Sequence, residues 1–257
     1  MSGGGDEAVL HVRELRKAYE VGGGTFEALK GVSFDVHPGE MVALMGPSGS
    51  GKSTLMNVLG LLDRPTEGRY RLGGRDVADL TENERAEARN ERVGFVFQAF
   101  HLLPRVSLLE NVAMPMVYAG VPAAVRRERA RILLERVGLG DKAQSQPNNI
   151  SGGQKQRAAV ARALAMDPDL LLADEPTGNL DSQTGHEIMA LFHRLNAEGS
   201  TVMIVTHEHD IARQTERTLH LLDGELHDDE RHDPTLPDAV RTRLEAPDAA
   251  PPGGVAA

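Results

Sequence analysis

An α/β fold is predicted by three features of the hydrophobic pattern. Met41-Val42-Ala43-Leu44-Met45, Leu170-Leu171-Leu172-Ala173 and Thr201-Val202-Met203-Ile204-Val205 are near-continuous apolar runs, as expected of strands covered on both faces. Each follows a segment of helical character, which calls for parallel strands joined by crossover helices. The first run ends in a glycine-rich stretch that opens a helix, the layout of a phosphate-binding loop.

Taken in order, Val9-Leu10-His11-Val12 and residues 29–36 read as early strands, the second closed by the turn His37-Pro38-Gly39-Glu40. They predict an antiparallel β-portion at the start. The buried strand at Met41 then leads into a helix over residues 53–62. From Glu82 to Met166 the texture changes to Arg- and Glu-rich segments with apolar residues at helical spacing, such as residues 124–137. This is an inserted helical subdomain, placed at about residues 98–166 of a domain spanning residues 7–226. From His227 the chain is rich in Asp, Pro, Ala and Gly and poor in large apolar residues. That composition offsets little ordering entropy, so residues 227–257 read as a mobile acidic tail with one short helix near residues 238–244.

Bulk properties narrow the function. The 257 residues suit one large domain or two small ones, and 40% hydrophobic content supports a buried core. The absence of Cys excludes disulfides and thiolate metal sites. No apolar run reaches the roughly 18 residues of a membrane span, and the N-terminus lacks the regions of a signal peptide. A cytoplasmic location is expected. A net charge of −10 argues against nucleic acid as a partner.

Gly46-Pro47-Ser48-Gly49-Ser50-Gly51-Lys52-Ser53, followed by Thr54, matches G-x-x-x-x-G-K-[ST] directly after a strand. Its glycines let successive N–H groups point into one concavity, and the helix that follows adds its dipole. Lys52 offers a point charge for β- and γ-phosphates, and Ser53 a hydroxyl for Mg²⁺. The strand at Leu170 delivers Asp174 and Glu175 at its C-terminal end, where ligands bind in open α/β sheets. Neighbouring strand residues face opposite ways, so Asp174 can hold Mg²⁺ through water while Glu175 addresses the attacking water.

A second stretch, Asn149-Ile150-Ser151-Gly152-Gly153-Gln154, has the form of a helix N-terminus with Ser151 as N-cap and a helix over residues 154–165. Capping alone does not account for two glycines in succession, which let another group approach the backbone. Here the sequence resembles the ATP-binding cassette (ABC) family. Ser151-Gly152-Gly153-Gln154 looks like the family signature, with Ile150 in place of its usual Leu. The resemblance implies that this signature faces the γ-phosphate of an ATP held by a second copy of the chain. Gln98, after Val93-Gly94-Phe95-Val96-Phe97, is similar to the family's Q-loop glutamine, a contact of Mg²⁺ and of the transport partner. Asn179-Leu180-Asp181 looks like the D-loop at the dimer interface, and His207 like the switch histidine on the γ-phosphate. Tyr19, 27 residues before Gly46, matches the adenine-stacking aromatic.

The resemblance covers residues 9–224 and implies catalytic roles for Glu175, His207, Lys52 and Gln98, with ATP and Mg²⁺ as cofactors. The phrases NVLGLLDRPTEG, FVFQAFHLLP, MPMVYAG and LADEPTGNLD narrow it to the branch of lipoprotein release, macrolide export and cell-division permeases. That branch implies a homodimer closing on two ATP and driving a separate integral membrane permease from the inner face of the membrane. Two other readings are a regulatory module on a division-type membrane protein, and a soluble ABC ATPase of repair or translation. The short interval between phosphate loop and signature, and the single set of motifs, speak against the soluble kind.

Overall fold

A computed structural model of the chain describes residues 8–245. Strands β1 (Leu10–Val21) and β2 (Gly24–Val36) form a long antiparallel hairpin, with Leu10 opposite Val36 and Val21 opposite Gly24. Gly22 and Gly23 turn it with φ of 58° and 89°, the left-handed backbone that a tight hairpin turn needs. With β4 (Glu67–Leu72) and β5 (Arg75–Asp76) they make a four-stranded sheet of order β2-β1-β4-β5.

The second sheet holds β3 (Met41–Met45), β6 (Val93–Phe97), β7 (Leu170–Asp174), β8 (Val202–Val205), β9 (Arg217–Leu222) and β10 (Glu225–Arg231). Its order is β10-β9-β3-β8-β7-β6, parallel except for β10 against β9. Helix α1 (Lys52–Leu59) follows β3, and α2 (Glu82–Arg92) precedes β6. Helices α3 (Leu108–Tyr118), α4 (Ala123–Arg136) and α5 (Gly152–Ala163) pack on one another between β6 and β7. Helix α6 (Ser182–Ala197) and the short α7 (His209–Ala212) flank β8 in sequence.

The alternation of strand residues sends side chains into two cores. Leu170, Leu172, Met203 and Val205 join the core shared with the antiparallel sheet and α1. Leu171, Ala173, Val202 and Ile204 face the core built with α3 to α6. Covered on both faces, these strands bear out the α/β prediction from their apolar runs.

The stretch from His227, expected to be mobile, is ordered as far as it is described. Residues up to Arg231 complete β10 on the edge of the sheet, where backbone pairing with β9 substitutes for apolar burial. Helix α8 (Asp238–Glu245) then docks on α6, with Val240 fully buried and Leu236 and Leu244 packed beside it. Leu236, just ahead of the helix, and Val240 and Leu244 within it seat the helix on one apolar face. Residues 246–257 of the expected tail lie outside the described residues.

Candidate functional site: a phosphate cradle at the C-terminal edge of the sheet

The phosphate loop curls where β3 ends because two glycines allow what no other residue could. A Cβ on Gly46 (φ 155°) would sit 2.1 Å from the Leu221 carbonyl oxygen, and one on Gly51 (φ 104°) 2.7 Å from that of Ala28. Lys52 Nζ donates to the carbonyls of Gly46 and Pro47 at 2.7 and 2.8 Å, folding the charge back over the loop. Burial pushes the Lys52 ammonium below its ordinary pKa, against the pull of Glu175 and Asp174. An anion in the cradle would relieve that strain.

Asp174 closes β7 and Glu175 follows in the left-handed region (φ 41°), its amide donating to the Val205 carbonyl at 2.9 Å. Burial raises the Asp174 pKa, and the neighbouring Glu175 charge raises it further, with Lys52 opposing. Glu175 Oε1 lies 2.5 Å from Nδ1 of His207, whose side chain is 62% exposed just after β8. Ser48, Gly49, Gly51, Lys52, Ser53, Thr54, Asp174, Glu175 and His207 line one cavity of about 670 Å³. Sequence-predicted groups from three separate strand ends thus converge on one concavity.

Other candidates are placed differently. Tyr19 does not line the cavity: its hydroxyl donates to Asp63 at 2.9 Å, and Lys17 Nζ lies 4.8 Å from its ring centroid. Its cross-strand partner Phe26, 58% exposed, lines the cavity instead. Sequence reasoning missed Phe26, although an aromatic opposite Tyr19 across the Gly22-Gly23 turn was a usable signal. Gln98 does not line the cavity either: its backbone carbonyl accepts from Asn179 Nδ2 at 3.0 Å, and its side-chain amide packs against Gly178.

Ser151 caps α5 as expected, accepting from the Gln154 amide while Gln154 Oε1 accepts from the Ser151 amide. Residues 151–154 do not line the 670 Å³ cavity. Gly153 has a local reason to be glycine, since a Cβ there would meet Thr184 Cγ2 at 2.3 Å. Gly152 is freer, since a Cβ there would stand 3.3 Å from a Leu180 methyl. Asp181 is the N-cap of α6, accepting from Thr184 N at 3.0 Å and Thr184 Oγ1 at 2.6 Å; those bonds hold its pKa down.

With this geometry in place, comparison with known proteins identifies the fold's kin. Residues 29–178 match the ABC transporter family. The ABC transporter ATP-binding protein YknY of Bacillus subtilis is 50% identical over 85% of this chain and 95% of its own length. The macrolide export ATP-binding/permease protein MacB of Syntrophobacter fumaroxidans is 52% identical over 84% of this chain, which spans only 31% of that relative. The dimeric post-hydrolysis structure of the cassette MJ0796, bound to ADP and Pi, superimposes with a TM-score of 0.78 at 42% identity. The match covers 86% of this chain and 98% of that one. Phosphate loop, acidic strand end and curated kin agree, and the chain belongs to the ABC transporter family as an ATP-binding cassette that hydrolyses ATP.

Proposed function

We propose that the chain is the ATPase subunit of an exporter, acting as a head-to-tail homodimer on a separate permease of the macrolide-export or lipoprotein-release type. One observation carries the homodimer: the capped α5 terminus, read as a second anion grip, does not line its own chain's cavity. Each ATP would sit between Lys52 of one copy and Ser151-Gly152-Gly153 of the other. The dimeric assembly of MJ0796, named as such for that protein, supports this reading.

Among the described residues no cluster of three or more His, Cys, Asp or Glu could hold a metal by itself. Mg²⁺ suits such a site, because it keeps several waters and takes phosphate oxygens as ligands. Ser53 would offer its hydroxyl, Asp174 a carboxylate whose raised pKa a cation would relieve, and Gln98 its side-chain amide. When bound, the ion would neutralise charge on the β- and γ-phosphates. Lys52 would hold the same oxygens, Phe26 would meet the base end with Tyr19 beside it on the same sheet face, and Glu175 would orient water with His207 holding its carboxylate. Asp181 would meet the second copy from the head of α6.

No helix among the described residues is long and apolar enough to cross a membrane, so membrane attachment would come through the permease at the inner face. A groove of about 740 Å³ beside the helical layer is its docking place. Phe95, Phe97, His101, Pro115 and Tyr118 line this groove, and Tyr118 is 78% exposed. The loop after Gln98 divides its apolar residues: Leu102 packs into the helical core, while Leu103 stays 46% exposed.

The test is the specific activity of purified wild-type chain as a function of its concentration, with and without the permease. A composite site predicts a rise through the dimerisation midpoint. A flat profile from well below to well above that midpoint means that α5 serves its own chain's ATP, and the proposal fails.

A further inference from the structure

Phe100 and His101 both hold left-handed backbone, with φ of 61° and 48°. Two bulky residues in succession rarely adopt it, so something in the surroundings must impose it. Local backbone bonds shape this turn, Phe100 N–H to the Phe97 carbonyl at 3.1 Å and His101 N–H to the Ala99 carbonyl at 2.6 Å, and the group that grips it from outside is Arg162 in the last turn of α5. Its Nη2 donates to the Phe100 carbonyl at 2.9 Å, and its Nη1 to the His101 carbonyl. Those carbonyls take the place of an acid, since Arg162 has no carboxylate partner among the described residues. Burial lowers its pKa. A planar fork that spans two successive carbonyls fixes their relative orientation, which a point charge cannot do.

The same loop touches the other end of α5. The Phe100 ring lies 3.9 Å from where a Cβ on Gly152 would stand, behind the N-cap Ser151. Gln98, two residues earlier, is tied through its carbonyl to Asn179, and Gln156 Nε2 within α5 donates to the Pro176 carbonyl at 2.7 Å. Arg162 also lines the groove of about 740 Å³ together with His101. An α-helix of 12 residues is a stiff rod of about 18 Å, so a grip at its C-terminal turn is felt at its N-terminus.

We propose that Arg162 is a positioning residue: it clamps the loop after Gln98 to α5, so that the groove wall and the Ser151 terminus move as one body. The proposal rests on the reading that this terminus grips ATP. It adds what sets the terminus in place.

The test combines amide hydrogen exchange with steady-state ATPase kinetics on the full chain. Arg162→Ala is expected to speed exchange about tenfold at Phe100 and His101 and also at residues 152–154, with α1 unchanged. Its kcat should fall about 10- to 100-fold, the cost of misplacing a group by an ångström. ATP affinity should stay within about threefold, because the phosphate loop is untouched. Arg162→Lys, a single point donor, should show the same pattern at smaller size, and serves alone if the alanine variant does not fold. Adding His101→Asn, a residue that accepts left-handed backbone, should restore part of both the protection and the kcat.

Three results overturn the proposal: faster exchange confined to residues 100–101 with unchanged kcat, uniform loosening that includes α1, or no rescue by His101→Asn. Failure of the composite site is distinguishable. It shows as a flat concentration profile in the wild type, and leaves the exchange linkage between residues 100–101 and 152–154 intact.

Discussion

Replacing Gln154 by Glu turns one amide into a carboxylate at the head of α5, and the expected effects on stability and turnover have opposite signs. Helices α2 and α3 begin with the same capping box, closed by Glu84 and Glu110, so each meets its helix dipole with a negative charge. Helix α5 closes its box with neutral Gln154. A Glu there keeps the bond from the Ser151 amide, now at 3.0 Å, and adds a favourable dipole interaction of about 0.3–1 kcal/mol. The melting temperature should hold or rise. A phosphate docking within about 6 Å of that carboxylate would meet a repulsion of about 0.7–2.8 kcal/mol per unit charge, between the limits of bulk water and a protein surface. Turnover should therefore drop about 3- to 100-fold, while nucleotide binding to the Lys52 loop of the separate chain is unaffected. Thermal melts and ATPase rates at saturating ATP on one preparation read both signs. A variant as active as wild type would refute the assignment of α5 as an anion grip.

Three further outcomes are expected. Glu175→Gln should retain ATP binding, lose about 10²- to 10⁴-fold in hydrolysis and accumulate as a nucleotide-bound dimer on gel filtration; wild-type turnover would remove Glu175 from the chemistry. Arg217, 7% exposed, holds Asp229 through two bonds of 2.6 Å and depresses its pKa below the ordinary 3.8. A depressed carboxyl contributes stability above its unfolded pKa and loses it as pH falls through the folded value. Asp229→Asn should therefore melt lower at pH 7 and converge with wild type below about pH 4; a constant gap down to pH 3 would contradict this. Val240→Asp puts a charge into a fully buried seat on α6 and should cost about 2–4 kcal/mol, read in urea melts; an unchanged midpoint would mean that α8 contributes nothing.

The parts of the site legible in the sequence were those whose backbone demands are local. The phosphate loop announces itself because its glycines, its lysine and the preceding strand lie within a dozen residues. Asp174 and Glu175 followed from an apolar strand and its C-terminal end. What escaped depends on residues far apart. Gly153 is small because Thr184 stands against it, which no local spacing reveals. Hairpin β1–β2 runs far past Val12, since its outer half pairs through polar residues with register shifts and leaves no apolar pattern. The order in residues 227–245 was hidden for a similar reason. Strand β10 is stabilised by backbone bonds that composition does not record, and the seam that seats α8, Leu236 ahead of it with Val240 and Leu244, is only three residues wide.

The phosphate-loop strand lies at the centre of its sheet, and both of its neighbours come from the far end of the chain. Strand β3 pairs with β8 on one side and β9 on the other. The turn after β9 then buttresses the loop itself: the Gly224 amide donates to the Ser50 carbonyl at 2.9 Å, and the Gly224 carbonyl accepts from Lys30 at 2.8 Å. On the ribosome, the strand that ends in the ATP loop is thus made early and waits, unpaired on both edges, until more than 150 further residues have emerged. Such long-range pairing is slow and leaves apolar strand edges exposed in the meantime. A nascent chain stopped after Thr54 but before β9 has the whole phosphate-loop motif in its sequence and lacks one of the strands that flank β3. Completion of the cradle's support is then one of the last events of synthesis, because both flanking strands and the Gly224 buttress come from the far end of the chain.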